Sequence, residues 1–103
     1  MLAELSVFPI DKGGQGLSRY VAESMEIIEK SGLAFEIHAL GTLIEGPADK
    51  VFEVIRECHL NMTRHSDRVM TTVKIDDRRG ATDRLKGKVR SVEEKLGREL
   101  PKG

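Results

Sequence analysis

The chain has 103 residues, 39% hydrophobic and 33% charged, a balance that suits one globular domain with a real core. Its 17 basic and 17 acidic side chains cancel, so neither a nucleic-acid backbone nor an anionic membrane is the expected partner. A single cysteine, Cys58, excludes an internal disulfide and any multi-cysteine zinc or iron–sulfur site. No apolar run is long enough to span a bilayer, and Met1 to Ile10 reads as a strand rather than a signal peptide, so the expected location is cytoplasmic.

Leu2 to Ile10 alternates, with Ala3, Leu5 and Val7 on one side and Glu4, Ser6 and Phe8 on the other. Pro9 ends the pairing, and Asp11 to Gly16 is a glycine-rich loop. A helix follows, with Leu17, Tyr20, Val21, Met25 and Ile28 on its apolar stripe and Gly32 as its stop. Leu33 to Leu40 alternates again, setting Leu33, Phe35 and Ile37 against Ala34, Glu36 and His38. Gly41 separates it from a third strand over Thr42 to Gly46, so the two read as a hairpin. Pro47 suits the first turn of a second helix, whose stripe is Val51, Ile55, Cys58 and Met62, widened by Phe52 and Val54. Arg68 to Asp76 is the last strand. A third helix starts near Thr82 and carries Leu85, Val89, Val92 and Leu96 at helical spacing.

That order predicts an α+β fold: a ferredoxin-like βαββαβ antiparallel sheet with an extra C-terminal helix, one domain over residues 1–103. One phase of the strands supplies the helix-facing core. The other gathers Glu4, Ser6, Phe8, Glu36, His38, Met70, Thr72 and Lys74 into a mixed open face. That face, and the apolar stripe of the extra helix, predict a homo-oligomer.

Several kinds of chemistry are disfavoured by the residues present. Cys58 and His59 are helix neighbours pointing about 100° apart, so they do not share a metal ion, and no metal site is expected. The third strand carries no aromatic for stacking bases, against an RNA-binding reading. No nucleophile–base pair is visible, so no catalytic residue is assigned and no cofactor is expected. The loop from Lys12 through Gly13, Gly14 and Gly16 to Arg19 leads into a helix N-terminus where an anion could sit, although its spacing matches no phosphate-binding fingerprint.

The mixed strand face is the remaining candidate. Ser6, His38 and Thr72 offer hydrogen bonds, Phe8 a stacking surface, and Glu4, Glu36 and Glu45 negative charge. A small heteroaromatic cation suits such a set, with Glu45 or Glu36 on an amino or cationic group, Ser6 and Thr72 on ring nitrogens, and Phe8 over the ring. The alternative is that these groups only bond one another across a subunit interface.

The stretch His38-Ala39-Leu40-Gly41-Thr42-Leu43-Ile44-Glu45-Gly46 resembles the Gly-Thr-x-Ile-Glu-Gly signature of the small thiamine-binding-protein-like family. Ser18-Arg19-Tyr20-Val21-Ala22 is similar to its first-helix motif, Arg68 through Asp76 and Arg78 to its last strand, and Lys88-Val89-Arg90-Ser91-Val92 to its C-terminal helix. The Pro-Leu-Gly that commonly follows the family's first strand is here Pro9-Ile10-Asp11, with the glycines displaced to Gly13, Gly14 and Gly16. The resemblance implies dimers or pairs of dimers packed through their open sheet faces. It also implies non-catalytic binding of thiamine or its hydroxymethylpyrimidine part. It makes Thr42 and Glu45 site candidates beside Ser6, Phe8, His38 and Thr72, although both also have a structural reading, in the hairpin and before the second helix. Two other functions compete: a regulatory module like the ACT domains, binding an amino acid between subunits, and an acylphosphatase-like hydrolase using the Lys12 to Arg19 loop.

Overall fold

The computed structural model describes residues 1–12, 16–80, 85 and 93–97. Four strands and two long helices alternate along the chain: β1 (Leu2–Pro9), α1 (Leu17–Ser31), β2 (Ala34–His38), β3 (Gly41–Glu45), α2 (Ala48–Thr63) and β4 (Val69–Asp76). The sheet order is β2-β3-β1-β4, and every neighbouring pair is antiparallel. This is the split βαβ arrangement expected from the sequence, an α+β ferredoxin-like fold.

The alternation of β1 decides which side becomes core. Ala3 and Leu5 are buried beneath the helices with Ile44, while Ile28 of α1 and Val51, Val54 and Cys58 of α2 close over them. The larger aliphatic ones, Leu5, Ile28, Ile44, Val51 and Val54, each contribute about 2 kcal/mol by leaving water. Burial holds the Cys58 thiol protonated, pushing it up to about 11, with the carboxylate of Glu57 adding to the effect. α1 ends where Gly32 enters the left-handed region at φ 75° and donates its N–H to the Glu29 carbonyl.

Three local expectations shift. Pro47 lies one residue before α2, at its N-cap, with φ −57° and ψ 140°, so it leads the chain into the helix rather than forming its first turn. Phe52 is 53% exposed and does not widen the buried stripe, which runs through Val51, Val54, Cys58 and Met62. Phe35 and Ile37 have the helix-facing phase, but on the outermost strand both are only partly covered, and Ile37 is 49% exposed. Of the third helix, Leu85 and residues 93–96 are helical, whereas Val89, Val92 and the Lys88 to Val92 motif lie outside the described residues. No described helix is long and apolar enough to cross a membrane.

Candidate functional site

The central strand is longer than one of its neighbours, and that mismatch makes a notch. β1 pairs with β4 over its whole length, from Leu2↔Asp76 to Pro9↔Val69. It pairs with β3 only from Leu2↔Glu45 to Leu5↔Thr42, because the β2–β3 turn at Ala39 and Leu40 ends the hairpin there. Among the described residues, Ser6 to Phe8 therefore have no strand beside them on the β3 side. α1 roofs the gap with Val21, Ser24, Met25 and Ile28, and the result is a cleft of about 150 Å³.

The direction of the backbone groups on that edge follows from the ladder. Met1 and Gly46 exchange both of their N–H···O bonds, at 2.9 and 3.1 Å, and the Leu5 carbonyl faces Gly41. Ile10 donates instead toward the β4 side, to the Arg68 carbonyl at 2.9 Å. Odd-numbered residues of β1 thus point their backbone groups at β3, and those of Val7 point into the notch. Pro9, the next odd position, has no N–H to leave unpaired, which suits an unpartnered edge.

Side chains from both faces of the sheet line the notch. Leu5, Val7, Ile37 and Thr42 come from the helix-facing side, and Ser6, Phe8 and His38 from the open side. Thr42 is 8% exposed, and its hydroxyl makes only a weak contact, donating to Met25 Sδ at 3.8 Å. Leu40, 82% exposed, stands at the turn. Gly41 lets the strands close up here, since a Cβ on it would lie 2.8 Å from the Leu5 carbonyl oxygen. With no side chain at that position, the His38 imidazole reaches across β3, and its Nε2 meets Glu4 Oε2 at 3.3 Å. The Leu40 amide donates to His38 Nδ1 at 3.2 Å, which places the neutral ring's proton on Nε2.

Four of the six residues picked out from the sequence, Ser6, Phe8, His38 and Thr42, meet at this notch. The other two do not line it. Thr72 sits on the open face directly across from Ser6. Glu45 lies at the far end of β3, where its Oε1 accepts the backbone N–H of Leu85 at 3.1 Å. Sequence reasoning passed over Val7, Ser24 and Leu40. Val21 and Met25 carried a visible signal, but as core stripe positions of α1.

The remaining histidines and Arg19 have local partners. His59 Nδ1 is 2.6 Å from the Thr71 hydroxyl, and His65 Nε2 is 2.7 Å from Glu23 Oε2. The Arg19 guanidinium lies 5.1 Å from the centre of the Tyr20 ring and donates to its hydroxyl. Of the glycine-rich loop from Lys12 to Gly16 considered for an anion, residues 13–15 lie outside the described residues. Among the described residues, no three of His, Cys, Asp and Glu gather into a metal-binding group.

Residues 3–93 match the family described as thiamine-binding protein. A UPF0045 protein of Methanothermobacter thermautotrophicus is 43% identical, over 91% of this chain and 97% of its own. The crystal structure of a hypothetical protein of Methanocaldococcus jannaschii superposes with a TM-score of 0.82 at 32% identity, covering 90% of this chain and 95% of the other. A proposed thiamine biosynthesis and salvage protein of Thermotoga maritima shares the fold at 20% identity, with a TM-score of 0.76 over 88% of this chain and 96% of its own.

Proposed function

Because the chain belongs to the thiamine-binding protein family, we propose that it binds thiamine without turning it over, with the pyrimidine ring seated in the notch. The observation that carries this reading is the fit of the notch to one flat ring. A cleft of about 150 Å³ is the size that accommodates a single benzene-like ring. Its walls are mostly apolar, while its polar groups converge from one edge and one buried hydroxyl. An aminopyrimidine presents a donor amino group beside an acceptor ring nitrogen, and the Val7 carbonyl and N–H are the complementary acceptor and donor. The Thr42 hydroxyl meets a second ring nitrogen, and Phe8 and His38 flank the part of the ligand that emerges on the open face.

Among the described residues the lining contains no cysteine, lysine or carboxylate, and the His38 imidazole is engaged by Glu4 and the Leu40 amide rather than by a serine. Copies of the chain associate through the open face, where Phe8 and Met70 lie side by side and both are about half exposed.

Calorimetric titration tests the reading. Thiamine is expected to bind saturably at micromolar strength, about −8 kcal/mol, and the hydroxymethylpyrimidine alone is expected to compete. Thr42→Val keeps the shape of the side chain and removes its hydroxyl. It is expected to weaken thiamine about tenfold while leaving the thermal midpoint nearly unchanged. Unaltered affinity in that variant removes Thr42 from the site, and no binding by the wild-type protein overturns the reading.

Glu45 holds the backbone at Leu85 rather than the ligand. Glu45→Ala is expected to shift thiamine affinity less than about twofold. It is also expected to lower hydrogen-exchange protection of the Leu85 amide about tenfold, the worth of one hydrogen bond.

A further inference from the structure

We propose that His38 is a positioning residue for the notch: its neutral imidazole pins the β2–β3 turn that forms the mouth, and acid, by protonating Nδ1, releases that turn and weakens ligand binding. The inference rests on the notch being the thiamine site, and it concerns what holds that site in shape.

The turn lacks the residues that usually make one. His38 and Gly41 pair, so only Ala39 and Leu40 stand between β2 and β3. Two-residue turns of this kind are dominated by Gly, Asn and Asp. Asn and Asp also stabilise a turn from its first position, where the side chain accepts the N–H two residues on. Here an imidazole makes that bond, with the Leu40 N–H donating to His38 Nδ1 at 3.2 Å. Ala39 to Thr42 all line the notch, and the exposed Leu40 gains little from packing of its own. The shape of the mouth therefore depends on this one acceptor.

Protonation changes which groups the ring can serve. The neutral ring carries its proton on Nε2, 3.3 Å from Glu4 Oε2, and keeps the Nδ1 lone pair for Leu40. A second proton occupies that lone pair, and two N–H donors then face each other across the turn. The Glu4 carboxylate meanwhile holds the charged ring more tightly than the neutral one. The imidazolium stays on β1 while the turn comes free. Among the described residues, Glu4 on β1 touches the ring, Glu36 lies two residues back on β2 with the same strand phase, and Lys74 pairs with Glu4 from β4. Opposite them β3 sets Gly41 and Leu43, neither charged, and the α1 part of the notch lining is uncharged as well.

Two substitutions separate the two ring nitrogens. His38→Asn sets an amide oxygen where Nδ1 stands, so the Leu40 bond survives on a group that does not titrate. His38→Gln extends its amide toward Glu4, where Nε2 stands, and leaves the Leu40 N–H without that acceptor. Thiamine is titrated into each protein by calorimetry at about pH 7.5 and about pH 5, the span over which histidine charges, and the ratio of the two affinities is read within each protein. The wild-type loss in acid is expected to exceed that of His38→Asn about fivefold, the worth of one hydrogen bond. Protonation of the ligand's own ring affects both proteins alike and cancels. At the higher pH His38→Asn is expected to bind about fivefold more tightly than His38→Gln, although both lack the imidazole. In the free wild-type protein, the NMR signal of the Leu40 amide is expected to move with the titration of the His38 ring. An amide that ignores that titration overturns the proposal, as does an equal loss in acid for the wild-type protein and His38→Asn. Thiamine binding with an equal loss sinks this inference alone. No thiamine binding at either pH sinks the site assignment, and the inference with it, even where the amide follows the ring.

Discussion

Gly41→Ala is expected to destabilise the protein by about 2 kcal/mol, a fall in Tm of about 10 °C for a domain of this size. The cost arises because the added Cβ would stand 2.8 Å from the Leu5 carbonyl oxygen, which is backbone and cannot swing aside. Relief requires β1 and β3 to separate at Leu5↔Thr42, the last pair before the notch. The same methyl would stand 3.8 Å from Glu4 Cγ, an ordinary contact, so the strain comes from the Leu5 backbone. Gly46 provides the contrast within the same signature. A Cβ there would meet Leu33 Cδ2 at 2.5 Å, the end of a side chain that can change rotamer. Thermal unfolding of the two variants should therefore rank Gly41→Ala well below Gly46→Ala. Equal losses would mean that the strands at Leu5 give way as easily as a leucine methyl does.

The sheet was legible in the sequence because its signal lies in side-chain polarity. Ala3 and Leu5 against Glu4 and Ser6 assign both faces of β1, and Gly32 marks the end of α1 at a left-handed residue, as its position suggested. The notch was not legible, because it arises from a difference in length between strands. Nothing in Ser6, Val7 or Phe8 announces that β3 stops short beside them. The groups that matter most there are the N–H and C=O of Val7, which every residue but proline carries and which leave no trace in composition. Pro9 was the one available hint, since its missing donor is tolerated on an edge without a partner. Read from sequence, Pro9 was only the end of a strand. Thr42 and Glu45 entered together through the signature and are divided by the register. Thr42 faces the helices within the cleft, and Glu45 is turned toward Leu85. Phe52 shows the limit of helical periodicity: the stripe position is apolar, but α2 has no neighbour on that side among the described residues to cover it.

The free edge itself can be tested by removing one atom's worth of chemistry. Val7→Pro replaces a residue whose N–H points into the notch with one that has none, and the ladder to β4 loses nothing because Val7 directs its backbone groups the other way. The extended backbone at Val7 tolerates the ring, as it does at Pro9 two residues along, and the preceding residue is already in the β conformation that proline requires. Thiamine affinity is expected to fall about thirtyfold, or about 2 kcal/mol, because a ring nitrogen buried in the notch then has no donor to meet it. Val7→Ala separates this effect from packing. It retains the N–H, trims a half-buried side chain, and is expected to cost about 1 kcal/mol of stability while changing affinity less than about threefold. Calorimetry and thermal unfolding on the two variants thus predict opposite orders, with proline the weaker binder and alanine the less stable fold. Binding by Val7→Pro at wild-type strength would show that the ligand does not read the β1 edge, and would leave the hydroxyls of Thr42 and Ser24 to orient it from the helix side.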